Sequence, residues 1–575
     1  MPSNKKKLAA TAVMVSGMIL FAGGMAGCSK TQTSEGLLSE AKAYHQKGDK
    51  KAAVIQLKNA LQKNPDDAEV RYFLGTIYNE TGDALSAEKE IRKAIALGYS
   101  PAKTAPELGK ALLAMGQPQK VLDEVKQAPG AKLDPQIEAL RGNAYLFLNK
   151  PGEAKSSFEL ALKESPDMPE ALIGMSKLAF VARDADGAMR YVDQATAKNP
   201  TNAEAWMYKG DLLRAQNKIE PALAAYAQTI QLKPESPAAY ISRANVEIST
   251  GKFDAAKADI DAAKKLAPNG LIVLYTQALL DFTQGKHKAA LDSLQQVLKA
   301  APEHMPSVLL AGATQYALGS NQQAELHVKK YLSQNPGNIY ATKLMASVLL
   351  KSGETKRASD MLQPVVKNSP QDIQVLTLMG EAHMRAREFP KATEYFEKAS
   401  TLSPKAGPIR TALGMSQLAQ GDSARGIAEL EMATNLDPKS TQAGITLAMT
   451  HLRLKEFDKA LAALKTLEKE QPDNPIVHGL KGAAFAGKKN LPEARANFEK
   501  ALKLQPTYFP AAASLAQLDL QDKNPDAAKK RFEKILEADK KNVQAMSALA
   551  GMALGQKRTD EATSWLERAA NENPT

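Results

Sequence analysis

The sequence predicts an all-α fold: one helix–turn–helix unit copied along the chain and stacked as a right-handed superhelical solenoid. Three observations carry this. Eleven prolines (Pro166, Pro200, Pro234, Pro268, Pro302, Pro336, Pro370, Pro404, Pro438, Pro472 and Pro506) follow one another at intervals of 34 residues. With proline set as position 32 of each unit, position 20 is Ala in fourteen of sixteen units, Val121 and Gly426 being the exceptions. Position 15 is Gly in eight of them, from Gly48 to Gly421. An ordinary helical bundle has no reason to keep such a period.

Each part of the unit has a physical reason. Gly or Ala stands at position 8 among apolar neighbours, as in Gly75, Gly142, Gly210 and Gly482, and marks a first helix. Gly at position 15 supplies the left-handed residue that ends it. A second helix then opens, sometimes with Pro near its first turn (Pro221, Pro390, Pro492), where a missing N–H costs little. Positions 20, 24 and 27 share one face of that helix. Position 24 is large and apolar, as in Phe158, Tyr226 and Phe396, and position 27 is often Ala again. A small residue at position 20 implies a close helix crossing with no room for branching. The closing proline pushes its predecessor out of the helical region and stops the helix.

Units are expected to begin at 34, 68, 102, 135, 169 and then every 34 residues to 543. The third, around Pro129 and Gly130, is irregular and one residue short. Leu74, Gly75 and Tyr78 carry the L-G-x2-Y element of the tetratricopeptide signature. Ala154, Phe158 and Pro166 carry its second half. At the far end, Trp565 and Leu566 are expected to face solvent on one side. The final unit is therefore expected to be frayed, covered by a partner or another copy, or the edge of a truncated chain.

The start of the chain is different in kind. Lys5, Lys6 and Lys7 precede an apolar stretch from Leu8 to Ala22, and small residues lead to Cys28. This is the design of a secretory signal. Its end resembles the lipobox of bacterial lipoproteins, with Met25 in place of the usual Leu. By that resemblance residues 1–27 are a signal peptide and Cys28 is the lipidated N-terminus. Residues 28–33 are the lipidated Cys and its tether, and 34–574 are an array of about sixteen units. Ser29 in place of Asp implies sorting to the outer membrane, with the array facing the periplasm. Cys28 is the single cysteine, so no disulfide framework exists.

Composition and motifs argue against catalysis and nucleic acid. The net charge of +12 is spread over helix faces with no basic stripe interleaved with aromatics. Gly482, Gly487 and Lys488 approximate a phosphate-binding loop, but Lys489 replaces the magnesium-binding hydroxyl and no strand precedes it. The seven histidines are scattered over six repeats and form no i, i+4 metal pair, and His383 and His451 occupy position 11, a packing position. The chain is therefore expected to be no enzyme and to need no cofactor or metal.

A repeat solenoid offers a long surface, and in this architecture the first helices line its concave side. Position 9 down the chain gives Lys42, Thr76, Lys110, Asn143, Lys177, Asp211 and Asn245, then Leu279 through Met415 and Met449 to Gly551. The groove is expected to be polar and partly basic first, then apolar and small, with Met415 and Met449 accepting varied apolar side chains. Lys42, Lys110, Asn143, Lys177, Asn245, Met415 and Met449 are the groove candidates. The Lys and Asn set that clamps a carboxylate in chaperone-binding relatives is not found. Tyr275 and Tyr316 are the aromatics that a polysaccharide would use.

The opening repeats carry a narrower likeness. Lys47-Gly-Asp, the run from Ala52 to Glu69, Leu74-Gly-Thr-Ile-Tyr and Ala94-Ile-Ala-Leu-Gly resemble the TPR-repeat lipoproteins of PEP-CTERM/exosortase systems, the PrsT family. That resemblance implies a non-enzymatic, membrane-anchored periplasmic scaffold for exopolysaccharide assembly, export or PEP-CTERM protein sorting. Its partners would be proteins of an envelope assembly or sorting system, with polysaccharide contact open. A scaffold for outer-membrane protein, pilus or peptidoglycan machinery is the alternative.

Overall fold

The computed structural model describes residues 33–127 and 132–572. Cys28 and the leader, Pro129, Gly130 and Pro574 lie outside the described residues. Among these residues there are thirty-two helices and no strand. They alternate as first and second helices of sixteen pairs, from Ser34–Gln46 with Lys50–Lys63 to Val543–Gly555 with Thr559–Glu572. The chain divides into two compact units. One holds the seven pairs up to Leu266, and the other the nine pairs from Leu271–Thr283 onward. Within the first unit, Lys50 Nζ comes 3.9 Å from Glu235, in the turn after helix Ile219–Leu232, so these pairs curve back toward their start.

The turn between paired helices is a conformational invariant. All sixteen position-15 residues have positive φ. Eight are Gly, and the others are Asn149, Arg183, Asn217, Arg387, Lys455, Lys489, Lys523 and Lys557, at φ between 55° and 62°. Glycine thus eases a left-handed turn that the packing imposes regardless of residue. The residue preceding each ruler proline is equally constrained. Ser165, Lys233, Ser403 and Gln505 sit at φ near −138°, −140°, −134° and −138°. Asp539 adopts −139° although Lys540 follows it, so the helix Pro525–Ala538 stops on register without a proline. The third pair departs from the pattern: Pro106 stands inside its first helix and its second, Pro118–Glu124, is only seven residues long.

The core is the crossing inside each pair. A Cβ added at Gly142, Gly210, Gly380 or Gly482 would lie within 2.5–2.6 Å of the ring at position 24 of the same unit: Phe158, Tyr226, Phe396 or Phe498. Those rings are buried because position 8 gives way to them. The position-20 alanines, among them Ala53, Ala222 and Ala494, are fully buried. Gly482 is therefore a packing glycine in mid-helix, and the approximate phosphate-loop spacing is a by-product of the repeat. Gly426, the position-20 glycine, has its own cause. A Cβ there would lie 2.9 Å from the Gly414 carbonyl and 2.7 Å from Leu418, because two glycines face each other in this one crossing.

Charges buried between paired helices are matched in at least three of the units. Arg71 pairs with Glu90 at 2.6 Å, and Arg410 with Glu429 at 2.6 Å. Arg243 grips Asp259 through two 2.6 Å hydrogen bonds, and Glu247 lies beside them. Glu247 is 7 % exposed and its Oε2 has no hydrogen-bond partner. Burial first, and then the negative charge of Asp259, push its carboxyl up to about 7, against the pull of Arg243. At the far end Trp565 is half-buried, with the Arg568 guanidinium 4.5 Å over its ring, while Leu566 is 48 % exposed. Both side chains thus keep part of their surface in contact with solvent, Leu566 more than Trp565.

Three substitutions test this account. Gly426→Ala restores the residue found in fourteen other units, yet it should destabilise by about 1–3 kcal/mol through overpacking. Arg387→Gly should stabilise by roughly 0.5–1 kcal/mol, the left-handed strain relieved less the unfolded-state entropy gained. Urea unfolding midpoints read both, and the reverse sign in either case refutes the corresponding argument. For Glu247 the raised folded-state pKa means that its contribution is fully present below the ordinary carboxylate range and is lost as pH rises through about 7. Glu247→Gln should therefore gain on the wild type between pH 5 and pH 8 by about 1–2 kcal/mol, less than the full shift because solvent still screens the site. A stability difference independent of pH would exclude the assignment.

Candidate functional site

The candidate site is the face that the first helices present together. On a helix, positions 2, 5, 6, 9 and 12 fall on one side. Successive first helices pack beside one another within each unit, and open cavities form along that side.

In the first unit a cavity of about 420 Å³ spans four repeats. Its apolar wall is Leu113, Ala139, Leu140 and Met168, and its polar wall includes Lys110, Asn143, Glu170 and Glu204. A smaller cavity of about 280 Å³, with Thr76, Asn79, Glu80 and Glu107, shares Lys110 and Ala114 with it. In the second unit a cavity of about 480 Å³ lies between Tyr340, Leu344, Ser347, Thr377, Leu378 and Ile409. Thr377 also borders a cavity of about 430 Å³ reaching Glu381, Met384 and Met415, so the two form one groove across repeats. Another, of about 620 Å³, lies among Ala516, Gln517, Leu520, Phe532, Gly551 and Met552.

The position-9 candidates divide accordingly. Lys110, Asn143 and Met415 line cavities. Lys42, Lys177, Asn245 and Met449 border none of those described above, although Met449 is 54 % exposed. The lysines are engaged locally. Lys42 pairs with Glu69 at 2.7 Å, Lys110 with Glu107 at 2.7 Å, and Lys177 Nζ lies 5.5 Å over the Tyr208 ring. The Asn143 amide donates to the Ala139 carbonyl at 3.1 Å, and Met415 Sδ accepts from Gln442 at 3.4 Å. Tyr275 stacks edge-on against His304 at 5.5 Å, and Lys351 Nζ caps the Tyr316 ring at 4.3 Å. Residues at positions 2, 5 and 6, such as Glu170, Glu204, Tyr340 and Leu344, complete the surface. The i, i+3 and i, i+7 spacing from position 2 was the signal that would have found them.

The histidines are held structurally. His383 Nδ1 lies 2.7 Å from Glu388 and His451 Nδ1 lies 2.7 Å from Glu456, the same contact in two repeats. His478 is fully buried, with Nε2 2.8 Å from the Pro472 carbonyl. Among the described residues no group of His, Cys, Asp and Glu is placed to hold a metal, and no helix is long and apolar enough to cross a membrane.

Comparison with known proteins agrees with the repeat. The chain is 24% identical over 193 residues to the type IV pilus assembly protein PilF of Pseudomonas aeruginosa, covering 33% of this chain and 75% of that one. Among solved structures it resembles a tetratricopeptide repeat protein from Parabacteroides merdae, with 20% identity, 43% of this chain and 98% of the other covered, and a TM-score of 0.35. It also resembles a chain from a structure of Naa15/Naa10 bound to HypK-THB, with 15% identity, 94% of each chain covered and a TM-score of 0.35. Two family profiles, each described as tetratricopeptide repeat, match most of the sequence. One covers residues 148–212, 316–382, 417–484 and 519–575, and the other 38–101, 209–270 and 275–339. The chain belongs to the tetratricopeptide repeat family, whose repeats generally form non-catalytic surfaces for binding other proteins.

Proposed function

We propose that this protein is an envelope scaffold that holds segments of other proteins against its first-helix groove. The observation that carries the reading is the succession of half-apolar, half-polar cavities along positions 2 to 12 of consecutive repeats. Such cavities suit side chains delivered by a polypeptide lying across several helices, since each repeat adds a further subsite. The leader supports the location: lipidation at Cys28 would tether the array to the outer membrane, facing the periplasm. The likeness of the opening repeats to PEP-CTERM-associated lipoproteins supports a place in exopolysaccharide assembly or protein sorting. A second reading, a scaffold in pilus assembly, is favoured by the similarity to PilF.

The test combines anchor and groove. Photo-crosslinking residues placed at Gln374 and Gln517, both on first helices, should capture envelope proteins in the native cell. The same residue at Lys356 or Lys398, exposed on second helices, should not. Cys28→Ser should abolish lipid labelling and leave an unprocessed precursor. Equal crosslinking from both helix faces would overturn the groove reading. Maturation of the serine variant with retention at the outer membrane would overturn the anchor.

A further inference from the structure

We propose that the cavity of the first unit receives a cationic amphipathic polypeptide segment, one with Lys or Arg side chains beside apolar ones. This rests on the groove-binding reading and names the ligand chemistry at one place in it. Position 9 alone, with Lys42, Lys110 and Lys177, reads as polar and partly basic. The structure reverses the sign. Lys110, the lysine on this cavity, is held by Glu107, while Glu170 and Glu204 line the same cavity without a hydrogen bond or ion pair among the described residues.

Both carboxylates stand in the first turn of their helices, Pro169–Val181 and Ala203–Ala215. The helix dipole favours a negative charge there, which explains why the fold tolerates them unpaired. It does not account for the open apolar wall of Leu113, Leu140 and Met168 that they border. The two helices are neighbours in the stack, so the carboxylates are about 8–10 Å apart along it, within reach of two cationic side chains on one segment. An anionic segment would meet like charge along the end of the cavity formed by Glu170 and Glu204, and a purely apolar one would leave both carboxylates unmatched. A metal ion is not the alternative, because no third ligand is gathered there among the described residues. A segment with mixed cationic and apolar side chains satisfies both walls.

The experiment uses the full chain and two fluorescein-labelled synthetic peptides. One has Leu and Lys in an amphipathic-helix pattern, and the other has Glu in place of every Lys. Fluorescence anisotropy should show the Lys peptide binding, more weakly as salt rises, and the Glu peptide not binding. The double variant Glu170→Gln, Glu204→Gln should weaken the Lys peptide by about fivefold and flatten its salt dependence, with an unchanged circular dichroism spectrum. Ala114→Trp, at an exposed position on the same cavity, should weaken it by occupying the wall, whereas Glu153→Gln, exposed on the second helix Pro151–Glu164, should not. Equal binding of the two peptides, or wild-type affinity in the double variant, would overturn the proposal. If groove crosslinks form in cells while the Lys peptide fails to bind, the ligand assignment falls and the scaffold reading stands.

Discussion

The fold depends on one contact repeated down the chain: the close approach of the two helices of a pair, where position 8 yields to the side chain at position 24 and position 20 stays small. The distances that an added Cβ would meet, near 2.6 Å at Gly142, Gly210 and Gly482, show that the glycines are there for space. Fifteen of the sixteen crossings bury the side chain at position 24, Phe158 and Tyr226 completely, while Leu566 in the last pair is 48 % exposed. Because each repeat touches chiefly its neighbours, such contacts sum along the chain, and a defect in one pair is local. The left-handed turn and the extended residue at position 31 follow from this. Once the crossing is set, the connecting chain has one route, and Arg387 or Lys489 takes it as Gly48 does.

That hierarchy explains what was legible in the sequence. A backbone requirement that nearly every copy must meet leaves a period, so the proline ruler and the column of alanines located the helices. They did not reveal which marks were causes. Lys540 shows that the proline is dispensable for the stop, since Asp539 is extended without it. Gly426 seemed a lapse from the column and is instead a crossing with two facing glycines. A single deviation is ambiguous in sequence, because its explanation sits on the partner helix, as Gly414 does for Gly426.

The groove was less legible, for a related reason. Its geometry is periodic and its chemistry is not. Position 9 pointed to the right face, and Lys110, Asn143 and Met415 line cavities, but four of the seven candidates border none of those described. The cavities form between first helices, so positions 2, 5 and 6 contribute as much as position 9. Whether a charge is available also depends on neighbours that a column of residues cannot show. Lys42 and Lys110 count as basic in a sequence and are spent on Glu69 and Glu107 in the structure.

The division of labour within the unit follows from these two layers. Positions 8, 15, 20, 24 and 27 satisfy the crossing and have little freedom to serve anything else. Positions 2, 6 and 9 lie further round the first helix, toward the groove, where the crossing asks less of the side chain. Ligand chemistry can therefore change from one repeat to the next at small cost in stability. It moves here from carboxylates beside Met168 to Thr377 and Met415, and then to the small residues around Gly551. A protein built this way need not recognise one partner along its whole length. Its two compact units carry grooves of different character, so separate segments, of one partner or several, would be sorted by the local chemistry of each groove.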